Sequence, residues 1–293
     1  MQKQILQPTL SSDESQLYFI VCERNDFSVM SYHIEQKRTI HLYHSTMPIE
    51  QFLVVNTDCF IKQGERVLRV HKGKAIEELL GVDKLFDFNE RAFVFEKKGV
   101  LYSFDIETNE MLTIVESVDS VYMTTNNMLL YHQNGSLYYV YNGEKYMLNI
   151  AIEIESAAAS YDGQYIALFG EEGGERHFYV YDIEQGVLQN MTNVLGETIG
   201  YAGPALRFAV KEIPSWTETK AFYFLVTAND ETRLYYGDIY GTLLPASPEE
   251  QYVYAYAVAK SGNWSVNAIV TKDGQYKLQL LDITTGIEME INT

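Results

Sequence analysis

The chain has 293 residues, 46% of them hydrophobic, and sets 40 acidic side chains against 22 basic ones for a net charge of −18. That size and composition suit one large all-β domain with a real core. The missing basic footprint argues against nucleic acid and against an anionic membrane surface as partners. The start, "MQKQILQPTLSSDE", has no apolar signal core, and no apolar run approaches the roughly 20 residues of a membrane helix. Two cysteines, Cys22 and Cys59, make no disulfide framework, so the expected compartment is the cytoplasm. The acidic surface reads first as a solubility device, with basic partners or cations allowed.

In chain order, the first strand-like run is "QILQPTL" (4–10). "FIVCERNDFSVMSY" then turns at Asn25-Asp26, "CFIKQGERVLRV" at Gln63-Gly64 and "FVFEKKGVLYSF" at Lys98-Gly99. "LLYHQNGSLYYVY" turns at Asn134-Gly135, and "IALFGEEGGERHFYVY" around Gly173-Gly174. "FYFLVTANDETRLYY" turns at Asn229-Asp230 and "NAIVTKDGQYKLQLL" at Asp273-Gly274. Asn-Gly between Tyr-rich runs is a hairpin signal, because a type I′ turn needs positive φ at both central residues. The 23 tyrosines suit half-buried pleated surfaces. Hairpins that recur about every 41 residues imply repeats of four short strands.

About ten residues beyond each hairpin comes a polar turn, in the form "D-I" at Asp105, Asp182, Asp238 and Asp282. Asp bonds nearby backbone amides there and Gly accepts the left-handed conformation. An outer strand follows, for example "MLTIVE" or "IEMEI". The inner strand precedes each hairpin, where crowding near a common axis favours small residues: "ESAAAS" (155–160), "GYAGPA" (200–205) and "YVYAYAVA" (252–259). "AIEELLGV" (75–82) has helical spacing but falls in register as an outer strand, and is read as one. The longest step marks an insertion in the sixth unit, with "KEIPSWTETKA" (211–221) read as a lengthened loop.

Four-stranded units of this kind shield one another when arranged radially. The expected architecture is an all-β, seven-bladed propeller of four-stranded antiparallel blades in a single domain, 1–293. The blades lie near 4–45, 50–82, 84–116, 118–150, 152–194, 199–247 and 251–293. The even spacing opposes a pair of sandwiches, and the lack of capping segments opposes a solenoid. The first unit owns its inner strand and the last its outer strand (287–292). The expectation is therefore ring closure without strand exchange, by side-chain packing alone, at the weakest seam of the ring.

Ser160, Asp162, Gly163, Ile166, Tyr179, Asp182, Gly186 and Thr192 spell "S-x-D-G-x-x-I-A" followed by "Y-V-Y-D-I-x-x-G". This resembles the repeat of TolB-type propellers and of the N-terminal propellers of prolyl-oligopeptidase (S9) peptidases. Ser12-Asp13 with Leu17-Tyr18, and Leu278–Gly286, match loosely; units two to four depart from the pattern. The resemblance implies a propeller over the whole chain. Its S9 branch also implies a serine hydrolase domain, yet the sequence has no G-x-S-x-G elbow and no strand–helix alternation after the last repeat. A free-standing propeller is favoured.

Chemistry-bearing residues are sparse. His41 and His44 in "HLYH" are expected on opposite faces of a strand. His33 and His71 stand where other units carry the turn Asp; His132 and His177 complete the six histidines. Cys22 and Cys59 fall on the second strands of adjacent blades, about 10 Å apart, too far for a disulfide. Glu171, Glu172 and Glu175 in "EEGGE" lack the spacing of a calcium loop and read as a solvated turn. "GEEGG" precedes a strand, so no helix terminus awaits a phosphate. No catalytic residue, metal or cofactor is expected. Trp216 is the candidate partner-binding residue if its loop is exposed; folding back onto the blade is the equal alternative.

The favoured function is a non-catalytic propeller scaffold that binds a protein or peptide. One alternative is the gating propeller of an S9-type serine peptidase without its hydrolase domain. A second is a lactonase-type propeller hydrolase, which would gather carboxylate, Asn and His side chains at one channel mouth around a divalent ion.

Overall fold

Asn134 and Gly135 take φ values of 53° and 74°, the pair of left-handed residues that a type I′ turn demands. The register of the strands on either side follows, from Gln133 opposite Ser136 to Met128 opposite Tyr141. Lys98-Gly99 and Gly173-Gly174 repeat the same double positive φ, and in blade 1 the pair is Arg24-Asn25, one residue before the expected Asn25-Asp26. The computed structural model describes residues 3–71, 73–192, 207–208, 215–228, 231–248 and 251–291. The turn at Asn229-Asp230 lies outside them, but its flanking strands pair from Ala221 opposite Asp238 to Ala228 opposite Glu231.

Blade 1 holds β1 (Gln4–Leu10), β2 (Gln16–Glu23), β3 (Asp26–His33) and β4 (Arg38–Ser45). Blade 2 holds β5 (Gln51–Val55), β6 (Asp58–Gln63), β7 (Arg66–His71) and β8 (Lys74–Leu80). Blade 3 holds β9 (Lys84–Asp87), β10 (Ala92–Lys97), β11 (Val100–Asp105) and β12 (Glu110–Val115). Blade 4 holds β13 (Ser120–Thr125), β14 (Met128–Gln133), β15 (Ser136–Tyr141) and β16 (Glu144–Met147). Blade 5 holds β17 (Glu153–Ala159), β18 (Tyr165–Glu172), β19 (Glu175–Asp182) and β20 (Val187–Asn190). Blade 6 holds β21 (Arg207–Phe208), β22 (Ser215–Trp216), β23 (Ala221–Ala228), β24 (Glu231–Asp238) and β25 (Leu243–Pro245). Blade 7 holds β26 (Tyr252–Val258), β27 (Trp264–Val270), β28 (Tyr276–Asp282) and β29 (Glu288–Ile291). Each blade is an antiparallel sheet with strands in chain order, and the seven form a β-propeller. No described helix is long and apolar enough to cross a membrane.

The first strands face the axis: β1 touches β26 and β5, β9 touches β5 and β13, β17 touches β13 and β22, and β22 touches β26. Ala157, Ala158 and Ala159 on β17 are buried there, as small side chains on a crowded strand should be. The second strands are covered on both faces and read as unbroken apolar runs, such as Ala92–Phe95. Alternate residues of each run feed opposite seams. Phe93 and Phe95 join Phe60 and Phe104 between blades 2 and 3, while Val94 packs with Leu129 and Tyr131 between blades 3 and 4. The outer strands β12 and β16 are mostly exposed.

The repeated polar turns have a common physics. Asp105 accepts the amides of Glu107 and Thr108 at 2.9 and 3.0 Å, and Asp282 those of Thr284 and Thr285. The Ile that follows donates its amide to the neighbouring hairpin entry: Ile106 to Arg91 O, Ile183 to Gln164 O, Ile283 to Asn263 O. Both sets of turns therefore sit on one face of the ring. His33 substitutes in blade 1, its Nδ1 accepting the Gln36 amide at 3.4 Å. His71 instead bonds to the buried Asp58, which also receives Arg69 Nε at 2.7 Å.

The segment 75–82, read as an outer strand despite its helical spacing, falls on β8. Two expectations need correction. The segment 211–221 is not simply a lengthened loop. Ser215 and Trp216 pair with Tyr223 and Phe222, and Arg207 and Phe208 pair further along the same strand, so two short pieces stand at the inner edge of blade 6; residues 211–214 lie outside the described residues. The segment 200–205, expected as the inner strand of blade 6, lies outside the described residues. His41 and His44 do not face apart either: a bulge in β4 shifts the register between Val29–Tyr43 and Met30–His41. One extra residue restores a common face to positions three apart, and the two rings lie 6.4 Å centre to centre.

Candidate functional site

The inner strands end in short turns whose side chains bond back on themselves. Ser160 Oγ donates to Asp162 Oδ1 at 2.7 Å and accepts the Tyr165 amide at 2.9 Å. Ser11 does the same with Asp13 and Gln16 at 2.6 and 3.0 Å. The hydrogen bond from Ser11, joined by the Ser15 amide, holds the Asp13 carboxyl below the usual range. At Asp162 burial pushes upward, but Ser160, the Gln164 amide and the Lys220 ammonium outweigh it and the carboxyl is lowered. This is the structural content of the S-x-D-G pattern: a turn that closes the inner strand and sets its second residue, Tyr161, in the channel lining.

Those turns are tied to one another around the mouth. Asn89 Nδ2 donates to Asn127 Oδ1 at 2.6 Å, and Asn126 Nδ2 to Ala159 O at 2.8 Å. Lys220 Nζ lies 3.0 Å from Asp162, the Glu218 amide donates to Lys260 O, and the Ser261 amide donates to Glu14 at 2.8 Å. Inside this ring lies a cavity of about 300 Å³ to which every blade contributes, through Leu10, Val54, Asp87, Asn126, Tyr161, Ser215 and Val258. A neighbouring cavity of about 320 Å³ shares Glu90, Tyr161 and Lys260 with it.

Asp87, at the end of β9, is open to channel water yet ringed by protein. That crowding pushes its carboxyl up to about 6, against the Phe88 amide and the Lys260 ammonium, which pull it down. Burial also raises the Tyr161 phenol, and the carboxylates of Asp87, Glu218, Glu14 and Glu90 raise it further. Lys260 pairs with Glu90 and lies 5.5 Å above the Tyr161 ring. Two cations line the mouth, Lys260 paired with Glu90 and Arg91 paired with Asp105 and Glu107, beside the neutral Tyr161 phenol. Among the described residues no group of three or more His, Cys, Asp or Glu side chains could hold a metal ion.

Trp216, the residue singled out by sequence, is elsewhere in character. Its side chain is 4% exposed, its Nε1 donates to Ala158 O at 2.8 Å, and its ring packs on Phe222 in the seam between blades 5 and 6. It folds back onto the propeller, because pairing with β23 carries the indole into the apolar seam. Cys22 and Cys59 are unbridged. In "EEGGE", Glu172 accepts the Tyr179 hydroxyl at 3.0 Å; the Glu175 side chain lies outside the described set. None of the six histidines is among the described residues lining the mouth. Asp87, Glu90, Tyr161 and Lys260 escaped the sequence reading; their only sequence mark is a position just at or past the end of an inner strand.

No protein-family model matches the chain, and no curated protein matches it. Solved structures do. The β-propeller domain of the trilobed protease from Pyrococcus furiosus matches with a TM-score of 0.70 at 12% identity, covering 100% of this chain and 99% of that one. The fold is shared with the propellers of S9 peptidases. The acylaminoacyl peptidase of Pyrococcus horikoshii matches with a TM-score of 0.71 at 12% identity, over 99% of this chain but 52% of the peptidase. This chain thus spans about half the length of that enzyme. TolB from Acinetobacter baumannii matches with a TM-score of 0.51 at 12% identity, over 94% and 78% of the two chains.

Proposed function

We propose that the chain is a non-catalytic propeller that binds a partner protein or peptide, and that a basic segment of the partner enters the acidic channel mouth. The observation that carries this reading is the placing of Asp87 and Glu90 with Tyr161 and Lys260 in the mouth lining, with the Glu14 carboxylate bonded to Ser261 beside them. A lysine or arginine of the partner would take the place Lys260 now holds against Glu90 and over the Tyr161 ring, gaining charge and cation–π attraction together. The net charge of −18 adds long-range steering of a basic partner.

Fluorescence anisotropy of a labelled Lys/Arg-rich peptide tests it. Binding should saturate, weaken with salt, and fall about tenfold or more in an Asp87→Asn/Glu90→Gln double variant. Equal binding of an acidic control peptide, or no loss in the double variant, overturns the reading. The likeness to half of an acylaminoacyl peptidase favours a second reading, a gating propeller over an S9-type hydrolase domain. A gene whose reading frame holds no such domain removes that alternative.

A further inference from the structure

All seven seams between blades are closed by buried apolar clusters. The seam between blades 6 and 7 also buries polar side chains that have no hydrogen-bond partner among the described residues. Asn267 on β27 is fully buried, and neither its Oδ1 nor its Nδ2 has a hydrogen-bond partner. Ser265 is as deeply buried with its hydroxyl unpartnered, and Gln279 is 7% exposed with its Oε1 unpartnered. Native proteins pair such groups, so each unpaired one asks for a reason.

The strand register says where they point. Asn267 stands opposite Tyr256 on β26 and Gln279 on β28; Ser265 stands opposite Leu281, which stands opposite Glu288 on β29. Tyr256 and Ile269 pack on Tyr223, Leu225 and Leu234, so this face of blade 7 is turned to blade 6. On the same face Leu281 and Glu288 line a cavity of about 530 Å³, walled from the other side by Tyr223, Tyr236, Leu244, Pro245 and Pro248. Ser265 stands in the same row, paired with the lining residue Leu281, and is buried just behind the described lining. Asn267 and Gln279 stand one pair deeper, roughly 7 Å along the strand, and Gln279 Nε2 donates to the cavity-lining Glu288.

We propose that the blade 6–blade 7 seam is a binding site for a compact apolar ligand that carries a neutral carboxamide. The apolar body fills the cavity and the amide reaches inward to Ser265 and Asn267. A volume of this size lies within the roughly 300–1,000 Å³ of small-molecule sites. A carboxamide on Asn267 is best met by another amide, which offers one donor and one acceptor in return. An anionic head is opposed by Glu288 and by the absence of Lys or Arg among the described lining residues. A cationic head would lose its hydration against a wall of Tyr, Pro and Leu. This site is separate from the acidic mouth and does not rest on the function proposed above.

Saturation-transfer NMR with N-acetyl-leucinamide as probe, on the full chain, tests the proposal. The probe should bind and should shift the Asn267 side-chain amide resonances, and N-acetyl-leucine, the carboxylate counterpart, should bind at least about tenfold more weakly. Asn267→Leu should abolish probe binding and raise Tm. Ala246→Leu, which fills the cavity without touching the polar row, should abolish binding as well. No saturation transfer to the native chain, or transfer that survives both variants, overturns it. So does an Asn267→Leu chain with a lowered Tm and unchanged probe binding.

Discussion

The seam between blades 2 and 3 and the seam between blades 6 and 7 solve the same packing problem in opposite ways. Between blades 2 and 3, Phe60 and Phe93 lie 4.7 Å apart ring to ring, Phe104 is 5.2 Å from Phe93, and Phe95 stacks on Tyr102 at 5.2 Å. All the polar work is done at its edges, where Gln51 exchanges two hydrogen bonds with Leu85. Between blades 6 and 7 the tyrosine hydroxyls come inside: Tyr256 donates to Tyr223 O at 2.8 Å, and Asn267 and Ser265 lie unpaired behind it. A dry aromatic seam maximises burial. The other gives up stability and keeps a hole, the usual mark of a place kept for something else.

The sharpest test of the contrast is Phe93→Ala. Removing a fully buried ring from the centre of the dry seam should cost about 3–5 kcal/mol, read as a fall in the denaturation midpoint. Asn267→Leu in the other seam should act with the opposite sign and add about 1–2 kcal/mol, since it removes an unpaired buried amide and leaves a side chain of similar volume. If both variants destabilise alike, the two seams do not differ as described. Tyr256→Phe sharpens the point. It leaves Tyr223 O without this donor and should cost about 1 kcal/mol.

The junction of blades 7 and 1 extends the comparison. There Ile5, Leu17 and Phe19 pack on Val266, Leu278 and Ile291, and the Tyr254 hydroxyl donates to Ile5 O at 2.7 Å and accepts from Ile5 N at 3.3 Å. The first sheet comprises β1–β4 and the last β26–β29. We infer closure by side chains alone, so native-state hydrogen exchange should find β1 and β29 opening at lower free energy than β10, and Tyr254→Phe should lower it further. Uniform protection around the ring argues against this.

The smallest effect is electrostatic. Asp87 sits among Glu14, Glu90, Glu218, Tyr161 and Lys260. The folded chain holds its proton more tightly than the unfolded chain, up to about 6 against an ordinary 3.8. Its contribution to stability is therefore fullest below the ordinary value and falls as pH rises through that window. Asp13, Asp105 and Asp282 are lowered and act in the opposite sense, their contribution lost in acid. Binding of a basic peptide should strengthen over the same rise in pH as Asp87 ionises, and Asp87→Asn should flatten that gain. An unchanged profile in the variant assigns the titration to another group.

Turn chemistry made the blades legible. Asn134-Gly135 and the D-I turns act within a few residues of themselves, so their conformation is written locally. The site was not legible for the converse reason. Asp87, Tyr161 and Lys260 are far apart in the chain and become neighbours only where strand ends meet at the axis. Trp216 was visible as a residue type, but its burial depended on pairing with β23. The facing of His41 and His44 turned on a bulge in β4, a register event that alternation alone does not predict.

What the amino-acid order determined unaided is the repeat: short hairpins, their polar turns and the double-sided apolar second strands, all set by interactions between near neighbours. What the tertiary structure alone decided is which side chains share a space across the axis and across each seam. Closing a ring brings together residues whose separation in the chain carries no signal, and the charge at the mouth and the unpaired amide between blades 6 and 7 exist only after that closure.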